Sequence, residues 1–251
     1  MSFQGGNYLT RGTINNITYR RSRFGWLSGN KSSLTKERVM TSPDFAQTRL
    51  VMSEFKRAAL AGSLIRHGFK DELKKNKDNS LTNRMLKLLM QVEEGDTTNP
   101  FGERTVEDGD VPLLKGMDFN IRALISQIFD APYSAAVDRT TGTITIDIPS
   151  FVPVNDLEAP PSTTHFKLTM GALEADFAEG VFVTDEQETA ILPWDTTATT
   201  AISQALSVTA GTTLPLFAVL GVRYYKLVNG DYWEKCNHQF NFLNMVVADK
   251  V

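Results

Sequence analysis

The residue types most often used in catalysis or metal binding are represented here by three histidines and a single cysteine, while the pairing of the many carboxylates cannot be read from spacing. Cys236 and His238 are two residues apart in a strand-like run, so their side chains would share one face of a strand. A cysteine nucleophile also needs a group that orients the histidine, and no such motif surrounds this pair. His67 and His165 show no metal-ligand spacing. We therefore expect no catalytic residue, no metal ligand and no cofactor, in a protein that is not an enzyme.

Two weaker possibilities concern binding rather than catalysis. The acidic run at residues 107–110 offers carboxylates for calcium, but it lacks the twelve-residue spacing and the closing glutamate of an EF-hand. A carbohydrate could stack on aromatic residues of the C-terminal half. The candidates for this stacking are Trp194, Tyr224, Tyr225 and Trp233. Because consecutive strand residues point to opposite faces, one of the two adjacent tyrosines is predicted to lie in the core.

The charge distribution is the most informative property of the composition. The 251 residues carry a net charge of −3, from 26 Lys and Arg against 29 Asp and Glu. Residues 1–90 contain 17 basic and 6 acidic residues, a balance of +11, whereas residues 91–251 contain 9 and 23, a balance of −14. Opposite charges on two parts of one chain favour either internal docking or contact between copies.

Residues 1–40 are polar and rich in Gly, Asn and Ser, with no helical or sustained strand period. They are predicted to form an extended arm. A cluster of basic and aromatic side chains lies within it: Tyr19, Arg20, Arg21, Arg23, Phe24 and Trp26.

The clearest helix is predicted over residues 42–67. Ser42 is a candidate N-cap, Pro43 suits the first helical position, and Gly68 is the expected residue just past the end. Apolar residues recur at helical spacing at Phe45, Met52, Phe55 and Ala59, with Leu60 and Leu64 on a neighbouring stripe. The small residues Ala58, Ala59, Ala61 and Gly62 offer a low surface for close packing.

A second helix is predicted after a lysine-rich turn, starting at Ser80 or Thr82. Its apolar face would consist of Leu81, Met85, Leu88, Leu89 and Val92. The two helices make a basic αα-hairpin over residues 41–94, which is too small to form a stable core alone. It is therefore expected to pack on something else.

Residues 95–112 are predicted to form a linker, and residues 113–251 an acidic antiparallel β-sandwich. Ile144, Ile146 and Ile148 alternate with polar residues, which is typical of a half-buried strand. A long strand ending at Asn229-Gly230 carries the strongest hairpin signal in the chain. Strands are also predicted on both sides of residues 185–187. The expected fold class is α+β, with an extended arm and an αα-hairpin followed by the sandwich.

Several segments resemble a family of uncharacterised bacterial proteins. The first is Thr41-Ser42-Pro43-Asp44-Phe45-Ala46-Gln47-Thr48-Arg49, followed by Ser53-Glu54-Phe55-Lys56-Arg57-Ala58 and Ala61-Gly62-Ser63-Leu64-Ile65-Arg66. Later segments are Ile148-Pro149-Ser150-Phe151-Val152-Pro153, Thr164-His165-Phe166 and Val228-Asn229-Gly230. The resemblance implies a helical front and a β-rich back over most of residues 41–230, and it implies no activity.

The function predicted from these features is that of a structural subunit that assembles with copies of itself into a filament or particle. Its basic arm and helices would contact the acidic β-domain of a neighbour. The expected interface residues are Arg20, Arg21, Arg23, Phe24, Trp26, Phe45, Arg49 and Phe55. The alternatives are nucleic-acid binding through the basic aromatic N-terminal region, and a monomer whose helices dock on its own β-domain.

The N-terminal residues contain no apolar segment of the kind that directs secretion, and no apolar run is long enough to span a bilayer. We therefore expect synthesis in the cytoplasm without a signal peptide, with release as an assembled particle left open.

Overall fold

The computed structural model describes residues 2–3, 10–23, 25–76, 78–235 and 238–251. The chain divides into two compact units, residues 1–51 and residues 52–251. This division does not coincide with the boundaries predicted after residues 40, 94 and 112. Helices and antiparallel sheets are both present, which confirms the mixed class of the fold.

The strands in chain order are β1 (Ser2–Phe3), β2 (Gly12–Ile14), β3 (Ile17–Ser22), β4 (Gly25–Asn30), β5 (Ser134–Asp138), β6 (Thr143–Ile148), β7 (His165–Asp176), β8 (Val181–Glu188), β9 (Leu192–Pro193), β10 (Ile202–Ser207), β11 (Leu216–Val228), β12 (Asp231–Lys235) and β13 (Leu243–Asp249). The α-helices are α1 (Lys36–Thr41), α2 (Ala46–Gly68), α3 (Lys70–Leu73), α4 (Leu81–Glu94), α5 (Ile125–Ile128) and α6 (Pro153–Asp156). Two short 3₁₀ helices cover Pro43–Phe45 and Val111–Leu114.

The N-terminal unit contains a four-stranded antiparallel sheet with the strand order β1-β4-β3-β2, which we call the N-terminal sheet. β2 and β3 are joined at Asn15 and Asn16, whose φ angles of 44° and 71° lie in the left-handed region. Asparagine tolerates this region better than most residues, so the pair supplies a tight hairpin turn. The predicted extended arm is therefore not confirmed, because this part of the chain pairs into strands.

The two predicted helices are present as α2 and α4, and they pack together through small residues. Ala58, Ala61 and Gly62 are buried on α2. A Cβ added to Gly62 would lie only 3.0 Å from Leu89 Cδ1, so the close approach depends on glycine. This confirms the low packing surface predicted for α2.

Gly68 does not end α2 in the predicted way, because it is still helical and its φ angle is not positive. It is buried, and a Cβ added there would lie 2.5 Å from Leu173 Cδ1. A larger residue at this position would have to displace the Leu173 side chain of β7, so glycine permits this close approach.

Residues 95–112, predicted as a linker, are fastened to the helices of the second unit. The buried Glu54 carboxylate accepts hydrogen bonds from the backbone N–H of Gly102 (2.8 Å) and from Arg104 Nε (2.9 Å). Arg57 Nε donates to the carbonyl of Arg104 at 2.7 Å. The Asp96 carboxylate accepts further hydrogen bonds from backbone N–H groups within the segment. These bonds hold the segment in one conformation against α2.

β7 and β11 form the middle of a six-stranded antiparallel sheet. Its main path is β12-β11-β7-β8, while β13 also pairs with β11 and β9 with β7. Side chains of β7 alternate between the two faces: Phe166, Leu168 and Met170 enter one apolar cluster, whereas Leu173 and Ala175 enter another. The sheet therefore has an apolar core on each side.

Different elements cover the two faces of this sheet. The three-stranded sheet β10-β6-β5 contributes Ile144, Ile146 and Ile148 to the cluster that contains Phe166. The αα-hairpin contributes Ile65 and Leu89, among others, to the second cluster. The hairpin thus buries its apolar face against the chain's own β-sheet, and one of the antiparallel sheets curls into a half-barrel.

The strand predictions succeed where turns are strongly marked. Asn229 and Gly230 have φ angles of 53° and 94° and join β11 to β12, which confirms the predicted hairpin. The break expected at residues 185–187 is wrong, because these residues continue β8. The long strand β7 runs beside them and pairs Gly171 with Glu186 and Thr169 with Glu188.

Two leucines of the αα-hairpin, one buried and one exposed, allow a test of how much the buried face contributes to the free energy of unfolding. Leu89 is fully buried between α4 and α2, whereas Leu60 on α2 is 60% exposed. We expect Leu89→Ala to lower the free energy of unfolding by about 2–5 kcal/mol, as large-to-small core substitutions do. Leu60→Ala serves as the matched control and should change it by less than about 0.5 kcal/mol. Urea titration followed by circular dichroism measures both, and equal losses would contradict this packing.

Candidate functional site

The histidines singled out by the sequence lie on different elements and are engaged locally. On α2, His67 Nδ1 donates to the carbonyl of Ser63 at 2.8 Å. His165 of β7 is hydrogen-bonded to Thr164 Oγ1 (2.9 Å) and lies edge-on to the Tyr232 ring. Within the described residues, no group of three His, Cys, Asp or Glu side chains is placed to hold a metal ion. Cys236, the candidate thiol, lies outside the described residues.

The aromatic residues considered for carbohydrate stacking are mostly committed to packing. Tyr224 is fully buried, and its hydroxyl donates to the carbonyl of Glu158 at 2.6 Å. Trp194 Nε1 donates to the carbonyl of Leu157 at 2.9 Å. Trp233 is 64% exposed, but Tyr225 is buried, so the four rings do not form a stacking platform. The prediction that one of the adjacent tyrosines lies in the core is confirmed.

Two buried glutamates have unusual protonation properties. Glu93 is 1% exposed, and neither carboxyl oxygen has a hydrogen-bond partner within the described part of the chain. Burial raises its pKa to about 8. Glu72 of α3 lies over Gly171, where an added Cβ would meet Glu72 Oε1 at 3.0 Å. Burial, together with the neighbouring Glu186 carboxyl, raises the pKa of Glu72 to about 7.

Other carboxylates are held in the ionised form by hydrogen bonds. Burial alone would raise the pKa of Asp78, but bonds from the Ser80 backbone and from Arg84 lower it to about 2. Asp96 has the same balance, with bonds from Asn99 and Thr105 lowering its pKa to about 2. These carboxylates therefore close local turns and loops.

The N-terminal unit differs from the second unit in its burial, because its described residues form strands and a helix but, from residue 10 onward, bury no side chain. None of the described residues 10–51 is buried, although the segment contains paired strands and the helix α1. Every described residue of β2 is exposed, and those of β3 and β4 are exposed or half-buried. The unit carries 8 Lys and Arg against 2 Asp and Glu, whereas residues 52–251 carry 18 against 27. It is a basic unit in which the residues with described burial form no apolar interior.

Most of the predicted interface residues lie in this basic unit. Arg20 and Arg21 are on β3, and Arg21 lies opposite the half-buried Trp26 on β4. Arg23 is in the turn between these strands, and Phe24 lies outside the described residues.

The remaining predicted interface residues have varied surroundings. Phe45 is half-buried in the first 3₁₀ helix. Arg49 Nη1 donates to the carbonyls of Val39 (2.8 Å) and Ser42 (2.9 Å), so this guanidinium holds its own segment in place. Phe55 belongs to the second unit and is 51% exposed.

Phe55 is one of three large apolar residues on α2 that are at least half exposed. We call this set, made of Met52, Phe55 and Leu60, the α2 outer stripe. Its members are 50%, 51% and 60% exposed, whereas Ala61, nine positions after Met52 and therefore on the opposite side of the helix, is 4% exposed. A helix with apolar residues on both sides is typical of one packed on both sides, and among the described residues this second side stays exposed.

Further exposed apolar residues on the second unit escaped sequence reasoning. Val181, Phe182 and Val183 of β8 are 58%, 40% and 50% exposed. A groove of about 420 Å³ lies between α2 and the β7–β8 turn, lined by Leu60, Leu64, His67, Phe177 and Phe182, among others. The sequence signal for β8 was the run Val-Phe-Val, but a consecutive apolar run predicts burial as readily as exposure.

No protein-family model, no curated protein and no solved structure matches this chain. Among the residues that the structure describes, no helix is long and apolar enough to cross a membrane.

Proposed function

We propose that this protein is a structural subunit that assembles with copies of itself, its basic N-terminal unit docking onto the acidic unit of a neighbour. The observation that carries the proposal is the absence of any buried residue among the described residues 10–51. A small sheet without an apolar face in contact is marginal in water. Another copy of the chain would supply the missing contact.

The charges of the two units support this choice of partner. The N-terminal unit has a net charge of +6 and the remainder of the chain −9. Complementary charges accelerate association and fix orientation, while apolar groups supply most of the affinity. Trp26 and the α2 outer stripe are the apolar groups at hand. In this proposal the N-terminal unit serves as the assembly arm, and the two β-sheets that enclose Phe166 serve as the sandwich.

Size-exclusion chromatography with light scattering tests the proposal directly. We expect particles larger than a monomer at about 50 mM NaCl, and a shift toward monomer at about 500 mM because salt screens exposed charges. A monomer at low salt would contradict the assembly hypothesis. It would favour the alternative of a monomeric protein whose helices dock on its own β-domain.

A charge-reversal variant tests whether the basic N-terminal unit makes the contact between copies. We expect R20E/R21E/R23E to weaken assembly at least tenfold at 50 mM NaCl. The control K87E/K115E/R122E makes the same change in net charge on exposed residues of the second unit, and it should assemble as wild type does or better. If instead the first variant assembles normally but loses binding to a single-stranded oligonucleotide, the basic sheet is a nucleic-acid site.

A further inference from the structure

β8 is an end strand of the six-stranded sheet, and its apolar start lacks the usual protection of an edge. Among the described strands it pairs with β7 alone. Its eight residues include no lysine and no proline, the residues that commonly prevent another strand from pairing. Val181, Phe182 and Val183 are exposed in succession, so both faces of this edge are apolar at its start. An edge of this kind can pair with an added strand.

An open surface depression of about 520 Å³ borders this edge. One wall contains Val183, Thr184, Asp185 and Gln187, and the other consists of residues 207–209, which end and follow β10. The walls are tied together because the Ser207 backbone N–H donates to Asp185 Oδ2 at 2.8 Å.

Two further bonds fix the second wall. The backbone N–H of Thr209 donates to Glu174 Oε2 at 2.9 Å, and that of Val208 donates to the carbonyl of Gly142 at 2.9 Å. Because these bonds already order the residues that border the depression, a strand binding there would not have to order them, which lowers the entropic cost of binding.

The charge pattern of β8 selects its partner. The strand begins with apolar residues and continues with Asp185, Glu186 and Glu188, and it carries no basic residue. Glu188 is already paired with Lys167 (2.8 Å) and Arg223 (2.6 Å) of the same sheet, so the charge available to a partner lies around Glu186. A second β8 is unsuited, since a parallel pair would place carboxylates opposite one another and an antiparallel pair would press them against apolar side chains. The partner should be a basic strand with an exposed apolar residue.

The N-terminal sheet offers such a strand at its own edge. β2 pairs with β3 alone among the described strands, Ile14 at its end is 52% exposed, and Arg11 immediately precedes it. Read along the chain, this segment is basic and then apolar, whereas β8 is apolar and then acidic. Antiparallel addition that places Ile14 opposite Val183 therefore places Arg11 opposite Glu186.

We propose that the edge of β8 is the acceptor for β2 of a second copy, so that the N-terminal sheet of one chain extends the six-stranded sheet of the next. This inference rests on the proposed assembly and names its contact surface. Because donor and acceptor strands differ, each chain offers one of each, and repeated contacts build a closed ring of two or more copies or an open filament.

Cysteine cross-linking between copies tests the pairing. In a Cys236→Ser background, a chain with Ile14→Cys is mixed with a chain carrying Val181→Cys, Phe182→Cys or Val183→Cys, and each mixture is oxidised. We expect a dimer-sized product on a non-reducing gel for at least one mixture. The control partner is Val154→Cys on α6, which is 40% exposed and distant in sequence from β8, and it should give less than a tenth of that yield.

The outcomes separate this inference from the proposed function. If wild-type protein assembles but none of the three mixtures cross-links, β8 is not the acceptor, although assembly stands. If the protein is monomeric by light scattering, the proposed function fails first. If a chain carrying both Ile14→Cys and Phe182→Cys cross-links only to itself, the acceptor serves its own N-terminal sheet and the inference is overturned.

A blocking variant gives a second measurement that does not depend on oxidation. A lysine at the edge disfavours strand addition, so Val183→Lys should raise the dissociation constant for assembly at least tenfold. Val154→Lys adds the same charge elsewhere and should leave the constant within about twofold. Circular dichroism and thermal melting must match wild type for both variants. Unchanged assembly of a folded Val183→Lys variant would contradict the proposal.

Discussion

Deleting residues 1–30 is expected to convert the assembled protein into a folded monomer. The deletion removes all four strands of the N-terminal sheet. It removes none of the buried residues that form the two apolar clusters, since these run from Ala58 to Ala248. The melting temperature of the remaining chain should therefore stay within a few degrees of that of the full-length chain, measured at a salt concentration at which the full-length chain is monomeric.

Light scattering and differential scanning calorimetry measure the two halves of this prediction. The R20E/R21E/R23E variant is the matched control, because it keeps the strands and changes only their charge. Both chains should lose assembly, the deleted one completely. Particles of unchanged size after the deletion would show that the N-terminal sheet is not the contact, whereas loss of the calorimetric transition would show that the second unit depends on it.

The stability of the second unit is expected to fall steeply as the pH rises from about 5 to about 9. Glu93 and Glu72 have folded-state pKa values near 8 and 7, above the ordinary value of 4.5. Between these values the folded state holds protons that the unfolded state has lost, so the free energy of unfolding decreases with pH. Each pKa unit corresponds to about 1.4 kcal/mol, which makes the total decline several kcal/mol.

At the acid end the sign is reversed. Asp78 and Asp96 have folded pKa values lowered to about 2 from an ordinary value of 3.8. Their contribution is present above about pH 4 and is lost as the pH falls toward 2. The maximum of stability should therefore lie near pH 4 to 5, below the range usual for globular proteins.

Glu93→Gln isolates the main contributor at high pH. The variant keeps the shape of the side chain without an ionisable group, so at pH 9 it should be more stable than wild type by on the order of 3 kcal/mol, with little difference at pH 5. Glu94→Gln, an exposed neighbour on α4, is the matched control and should follow the wild-type curve. Urea titrations at both pH values measure this, and parallel curves for Glu93→Gln and wild type would contradict a protonated Glu93 in the folded protein.

The sequence predicted most of the local elements because their signals were local. The apolar face of α4 is found at Leu81, Met85, Leu89 and Val92. The turn at Asn229-Gly230 is a signal that needs only two residues. The face of α2 that packs into the core, in contrast, is decided by contacts with other elements. The side with the larger apolar residues is exposed, because the small side allows closer approach to α4 and β7.

The candidate surface was predicted only in its basic half. Arg20, Arg21 and Trp26 stand out by composition, and they do lie on adjacent strands. The acceptor could not be found in this way, since whether Val181–Glu188 is an edge or a central strand depends on which other strands pair with it. That information resides in contacts distant in sequence, such as the pairing of β7 with β11.

The apolar cluster that contains Ile65 and Leu89 joins residues far apart in sequence, and this separation determines which part of the subunit folds first. That cluster joins Ala58 near one end of the chain to Ala248 near the other, so the second unit has a high contact order and should fold in milliseconds to seconds. The β2–β3 hairpin pairs residues only a few positions apart and can form within microseconds. After dilution from denaturant the donor hairpin therefore forms and opens many times before its acceptor has folded. Growth of assembled protein should accordingly follow a first-order lag that does not shorten when the protein concentration is raised.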